Sequence, residues 1–254
     1  MNPDFSVIIS VFSESSLINN TIGHVLDIAA GAAMEVIVVD GDSAGATIRE
    51  IRDTRNGIVQ TVLSEKGRGI QFNRGASLAK GEILLFLHVD TRLPAGAFKK
   101  IAAAMKDRQI IGGAFRLVID SRRHPFRVIE KFVSYRSRYL GLPYGDQGIF
   151  VRKTAFHALG GFRNVPIMED LDLMRRISKR KGRLVILDDP VVTSARRWEQ
   201  EGILYCTLRN WCLVLLFLLG VPSEKLLKFY PSSRTAPFPS PVKESPSASS
   251  PFKA

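Results

Sequence analysis

Cysteine is scarce in this chain of 254 residues: only Cys206 and Cys212 occur, six apart in an apolar stretch. That spacing suggests neither a C-x-x-C clip nor a disulfide framework, and both are expected to be reduced core thiols. A basic segment followed by an apolar core and a small-residue cleavage site is also missing. Phe5-Ser6-Val7-Ile8-Ile9 follows Asp4 directly, so a cytoplasmic location is expected, with the inner face of the membrane as its extension. Long apolar runs are lacking too. Trp211 to Leu219 falls far short of the ~20 residues that span a bilayer, and Arg209 and Asn210 interrupt any longer version. Neither internal repeats nor a G-x-x-x-x-G-K-[ST] loop is found.

What is abundant is positive charge. Lys and Arg number 36 against 24 Asp and Glu, a formal net charge of +12. That balance predicts attraction to nucleic acid, anionic lipid head groups or substrate phosphates, without choosing among them. The length and 45% hydrophobic content suit one large α/β domain with a buried core.

Short apolar runs alternate with helical patterns: strand Ser6 to Val11, helix Leu17 to Ala30, strand Glu35 to Asp40, helix Ala46 to Arg52, strand Ile58 to Leu63, helix Ile70 to Ala79, strand Glu82 to Leu87. This is the βαβ rhythm of a mainly parallel sheet covered by helices on both faces. The second half predicts a strand over Gly113 to Ile119, a basic helix from Pro125 to Tyr139, a strand over Gly148 to Val151, helices over Thr154 to Leu159 and Asp170 to Lys181, and a strand over Leu184 to Leu187. Residues 1–202 form the expected catalytic domain. An apolar helical segment follows over 203–230, packed on the domain, at a dimer contact or on a membrane. A Pro/Ser-rich tail, 231–254, is expected to be disordered.

Nucleotides bind at the carboxyl ends of such strands, and polar residues cluster there. Asp90 ends an apolar strand and could hold Mg²⁺ or Mn²⁺ against a diphosphate, or simply close a turn before Pro94. His88 shares its face as a metal ligand, a phosphate donor or a bystander. Asp40 closes another strand before the flexible Gly41-Asp42-Ser43. Lys66-Gly67-Arg68-Gly69, with Gln71 and Asn73, places cations and amides at a helix start, suited to phosphate oxygens. Glu169 and Asp170 open a helix, where they either complement its dipole or serve as general base toward an acceptor hydroxyl. Asp146 and Gln147, between two glycines, form a second polar loop. Arg197 could neutralise a departing diphosphate and Trp198 could pack on a sugar. The arginines and lysines between Arg122 and Arg138 share a helix with Phe126, Ile129, Phe132 and Val133, as a solvated face over a core stripe or a membrane-surface helix.

Together, Ser10-Val11-Phe12-Ser13-Glu14, Val39-Asp40-Gly41-Asp42-Ser43, Phe86-Leu87-His88-Val89-Asp90 and Glu169-Asp170 resemble a family 2 glycosyltransferase of GT-A fold, a single Rossmann-like α/β/α sandwich with a mainly parallel mixed sheet. Tyr144-Gly145-Asp146-Gln147-Gly148, Met168-Glu169-Asp170 and Ser194-Ala195-Arg196-Arg197-Trp198 are similar to a bacterial branch associated with arsenosugar biosynthesis, the radical-SAM/selenodomain-associated glycosyltransferases. The resemblance covers residues 5 to 230. It implies inverting transfer of a sugar from a nucleotide-sugar, a UDP-sugar foremost, to a hydroxyl acceptor, without nucleic acid. Asp40 would bind the nucleobase, Glu14 would border the nucleoside pocket, Asp90 would hold the metal and Asp170 would be the base, with Glu169 next in line. Arg197 and Trp198 match the last two positions of the Q-x-x-R-W signature.

Ser10 and Ser13 stand where the family usually has Pro and Asn, His88 replaces the first Asp of D-x-D, and Ser194 replaces Gln. The imidazole removes one charge from the metal site and leaves Mn²⁺ or Mg²⁺ open; the missing Gln argues against a processive synthase. The rival readings are a nucleotidyltransferase on a similar scaffold and a basic, non-enzymatic membrane or nucleic-acid binding protein.

Overall fold

The computed structural model describes residues 3–29, 31–52, 55–179 and 183–230, so the tail expected to be disordered lies outside the described residues. Eight strands form one sheet: β1 (Phe5–Val11), β2 (Met34–Asp40), β3 (Val59–Leu63), β4 (Ile83–His88), β5 (Thr91–Arg92), β6 (Ile110–Asp120), β7 (Ile149–Arg152) and β8 (Arg183–Ser194). Their order is β3-β2-β1-β4-β7-β6-β8-β5. The first four in that order are parallel, β7 runs antiparallel to both β4 and β6, and β6 is parallel to β8.

The strands read as unbroken Val/Ile/Leu runs because alternate residues enter two different cores. Val7 and Ile9 of β1 point to one layer, with Ile18, Ile22 and Val25 of α1 (Ser15–Ile28). Ile8 points to the other, with Phe72 and Ala76 of α2 (Arg68–Leu78). Gly75 lets α2 approach this closely, since a Cβ there would lie 2.4 Å from Ile8 Cγ2. The remaining helices are α3 (Ala97–Met105), α4 (His124–Tyr139), α5 (Lys153–Ala158), α6 (Glu169–Ser178), α7 (Arg196–Glu201), α8 (Ile203–Leu218) and α9 (Ser223–Leu227). The result is the α/β sandwich around a mixed sheet that characterises GT-A enzymes.

Several elements depart from the sequence reading. The helix expected over Ala46 to Arg52 is only a 3₁₀ turn at Ile48–Glu50, because the Asp40 carboxylate accepts the N–H groups of Thr47 and Ile48 and holds the segment as a loop. β8 runs well past Leu187. Its Pro190 is tolerated because the register against β6 shifts between Phe115 and Arg116, where a missing N–H breaks no ladder. α3 was not anticipated, although Phe98, Ile101 and Met105 carry its buried face at helical spacing. α8, by contrast, lies where an apolar helical segment is expected, and its Arg209 guanidinium pairs with Glu201 at 2.5 Å. Cys206 is a buried thiol as expected, but Cys212 is exposed, since the helix turns it away from the domain. α8 and α9 meet the domain through a small cluster of Ile167, Leu213 and Leu226, flanked by Met168 and Tyr230. Among the described residues no helix is long and apolar enough to cross a membrane.

Candidate active site

The carboxyl ends of β1, β2 and β3 border a cavity of about 660 Å³ lined by Phe12, Gly41, Asp42, Ser43, Leu63 and Lys66, among others. The Lys66 ammonium sits 4.1 Å from the centre of the Phe12 ring, so one wall joins an aromatic face to a cation. Asp40 does not line this cavity. It is fully buried, with Oδ1 accepting the Asp42 N–H (2.9 Å) and Oδ2 the Thr47 N–H (3.1 Å). Its charge therefore shapes the loop from within, and the carboxylate presented at the wall belongs to Asp42. Glu14 follows β1 and accepts the Phe12 N–H at 3.3 Å. Burial pushes its carboxyl up to about 7, with the nearby Asp90 charge adding to the effect and Arg68 and Arg196 opposing it.

β4 ends at His88, and Asp90 follows one residue beyond Val89. Opposite stands the first turn of α6, introduced by Met168 in the left-handed region (φ 67°). A bulky residue there is a strained conformer, and the strain sits directly before Glu169 and Asp170. Asp170 is half-buried; its Oδ2 accepts the Gly145 N–H at 2.6 Å and its Oδ1 the Leu171 N–H at 2.7 Å. Glu169 is buried and paired with Arg68 at 3.3 Å. Burial opposes charge on that guanidinium, but Glu169, Tyr230, Asp170 and Asp90 together hold it more firmly protonated than usual. Arg68 thus feels both Asp90 and Asp170, so the end of β4 and the start of α6 face one cleft.

Gly145 marks the join. A Cβ there would lie 2.6 Å from His88 Nε2 and 3.3 Å from Asp170 Oδ2, so only glycine lets the 144–147 loop pass between them. Of the three readings of His88, its placement suits the bystander. Its ring stacks on Phe72 at 6.2 Å, and its Nε2 is buried under Gly145 without a partner. Burial, reinforced by Arg68, holds the imidazole neutral, well below the usual histidine range. It floors the loop and does not present that nitrogen to a metal.

Two further expected ligand groups are structural ties. Gln147 is fully buried, its Oε1 accepting from Ser137, Arg136 and the Tyr144 N–H and its Nε2 donating to the Phe115 carbonyl at 2.8 Å. Asn73 exchanges two hydrogen bonds with the backbone of Phe162, at 2.8 and 2.9 Å, fastening α2 to the segment before α6. Asp146 differs from these two. Its Oδ1 is buried without a partner, and burial raises its carboxyl to about 6, with Arg136 opposing and Asp170 and Asp90 adding to the rise. Arg136 was read as part of a solvated face, yet its guanidinium stacks 3.1 Å from the Tyr144 ring centre. The signal was its spacing: Arg136 falls on the helical stripe of Phe126, Ile129 and Val133.

Arg197 and Trp198 lie on α7. The Arg197 guanidinium meets Glu201 at 3.2 Å, packs 4.1 Å above the Tyr230 ring and donates to the Tyr230 hydroxyl. Trp198 rests partly on the core, edge-on to Phe126 at 5.9 Å, with its indole N–H buried and unpartnered. Its ring face is therefore committed to packing more than the sequence suggested. Tyr230, missed entirely, brings a phenol beside both Arg197 and Arg68.

A cavity at the carboxyl ends of the parallel strands is where open α/β sheets bind their ligands. The model of Glycosyl transferase family 2 matches residues 6–160, and the chain belongs to that family. Membership of that family favours sugar transfer over the nucleotidyltransferase and the non-enzymatic readings. Among solved structures the chain is similar to Staphylococcus aureus TarS residues 1–349 in complex with UDP-GlcNAc, with a TM-score of 0.59 and 18% identity. That similarity covers 75% of this chain and 58% of the TarS structure, and it speaks to the fold. No protein of curated function matches the sequence significantly.

Proposed function

We propose that the chain transfers a sugar with inversion from a nucleotide-sugar, a uridine diphosphate sugar foremost, to a hydroxyl acceptor. The observation that carries this is the junction at Gly145, which brings the end of β4 at His88 against Asp170 of α6, with the cavity at the carboxyl ends of β1 to β3 on the same sheet. The UDP-GlcNAc bound in TarS supports a uridine donor. In this reading the Phe12 and Lys66 wall with Asp42 receives the nucleoside, and Arg68 and Arg197 face the diphosphate.

Among the described residues no three His, Cys, Asp or Glu side chains cluster as a metal site. A Mg²⁺ or Mn²⁺ ion shared with substrate would need one or two carboxylates, with the diphosphate completing its shell. Asp90 would hold the ion, which when bound supplies positive charge to the leaving diphosphate. His88 fits poorly, since its Nε2 lies under Gly145. Asp170 accepts the acceptor's proton, oriented by the Gly145 and Leu171 N–H groups. Glu169 is spent on Arg68 and holds that cation in position.

The arsenosugar-type assignment rests on Tyr144-Gly145-Asp146-Gln147-Gly148 and Met168-Glu169-Asp170 and names the finer donor and acceptor class. The test is a thermal-shift and donor-hydrolysis panel with UDP-sugars and other nucleotide-sugars, with and without Mn²⁺. A uridine-specific shift and metal-stimulated hydrolysis are expected; a response to none of these donors would defeat the reading.

A further inference from the structure

An extended exposed apolar surface on two helices serves neither the core nor the cleft. On α4, Val128, Phe132, Tyr135 and Tyr139 are all more than half exposed, at spacings of four, three and four. These place them on one outward stripe, opposite the buried Phe126, Ile129 and Val133. On α8, Leu204, Leu208, Trp211, Leu215 and Leu219 repeat the pattern over four turns, with Leu204 at 72% and Leu215 at 58% exposure. Only Cys206, Thr207 and Leu213 of that helix are buried. Phe132 and Trp211 touch, ring centres 4.9 Å apart, so the two stripes form one continuous face. Soluble single-chain proteins rarely leave such a face to water.

Its border identifies the occupant. Arg127, Lys131 and Arg138 are exposed on α4 and fall on the helical line immediately beside the apolar stripe. Exposed Arg122 and Arg123 precede the helix. Trp211, Tyr135 and Tyr139 supply rings with one apolar body and one polar edge, the side chains suited to a lipid head-group zone. A second copy of the chain is the poorer partner: a two-fold contact through this face would bring equal basic rows together on molecules of net charge +12. We infer that the α4 and α8 face docks on an anionic phospholipid surface, with the apolar stripes at the head-group boundary and the basic row against lipid phosphates. The helices lie on the bilayer and do not cross it.

The experiment is co-sedimentation of the full chain with vesicles of phosphatidylcholine alone or mixed with phosphatidylglycerol. Binding is expected with the anionic vesicles, weaker with phosphatidylcholine alone, and falling as salt rises. Leu204→Glu with Leu215→Glu puts charges at two exposed positions that hold no core contact and should weaken vesicle binding by about tenfold or more while leaving the melting temperature unchanged. Lys131→Glu, which leaves the apolar stripe intact, should weaken binding to anionic vesicles alone. No binding to either vesicle, or binding that the double variant leaves intact, would overturn the inference. So would a dimer in light scattering that the double variant dissolves without any vesicle binding in the parent. Vesicle binding is read independently of sugar transfer, so its failure is distinct from failure of the proposed reaction.

Discussion

Replacing Asp170 by Asn tests the proposed chemistry most directly, because the two side chains share shape and differ in charge and proton affinity. Both carboxylate oxygens are in use: Oδ2 accepts the Gly145 N–H at 2.6 Å and Oδ1 the Leu171 N–H at 2.7 Å. An amide keeps one acceptor and turns its NH₂ toward the other donor. One charge-assisted hydrogen bond is lost, and a stability cost of about 1–3 kcal/mol follows. The catalytic effect is larger. General-base help is typically worth ~10² to 10⁴ in rate, equivalent to about 3–5.5 kcal/mol in the barrier. Donor binding should change no more than a few-fold, because the nucleoside cavity is lined by residues at β1 to β3 and not by Asp170. The assay is single-turnover transfer together with UDP binding by calorimetry, at a temperature well below the variant's midpoint. A variant that keeps its turnover within tenfold would show that Asp170 is not the base. A large loss of UDP affinity with unchanged turnover would assign it to the donor side instead.

Glu14→Gln reads the buried carboxyl beside the cleft. Its folded-state value, raised to about 7 from 4.5, means the folded chain holds a proton that the unfolded chain releases, so wild-type stability falls as pH rises through that window. The variant should match wild type near pH 4 and exceed it above pH 7 by up to about 3 kcal/mol in denaturant titrations; a difference that does not vary with pH refutes the burial argument. Gly145→Ala forces a methyl against His88 Nε2 and should destabilise by about 1–3 kcal/mol, with His88→Ala in the same chain recovering part of the loss. Additive losses in that cycle would mean the two residues do not clash. Asp90→Ala should weaken UDP binding in Mn²⁺ by about tenfold or more and leave binding in EDTA unchanged. Equal losses in both buffers would remove the metal from Asp90.

The scaffold was legible because its first half uses the plainest code available. Val36 to Val39 and Leu84 to Leu87 are runs that only a two-sided burial explains, and their ends place Asp40 and Asp90 at one edge of the sheet. The proposed roles of Asp90 and Asp170 rest on that edge and on an acidic helix start. What could not be read was the direction in which polar groups turn once the chain folds. Asn73 and Phe162 are 89 residues apart, and nothing local shows that an amide at a helix start will be consumed by that distant backbone. Gln147 was misread for the same reason, since four partners from three segments satisfy it. Asp40 looked like a ligand because it ends a strand, yet the following loop supplies its donors. The α8 helix was legible as an apolar helical segment; what sequence could not show is that Arg209 inside it pairs with Glu201 of α7.

The charges in the cleft divide the work among residues. Glu169 is buried, so its charge is tolerable only through Arg68, and removing either partner would strand the other. Asp170 is half-buried with two N–H donors, a setting that keeps a carboxylate oriented while leaving it reachable by an incoming hydroxyl. Solvent access and partners thereby separate the adjacent acids, Glu169 as an anchor and Asp170 as the accessible carboxylate to which the proposed base role is given. Asp146 and Glu14 complete the pattern from the other side. Both are pushed toward neutrality by burial and feel the charge of Asp90, so a cation arriving at Asp90 would favour their ionised forms. If the proposed ion binds at Asp90, its entry would be coupled to proton release from those two carboxyls.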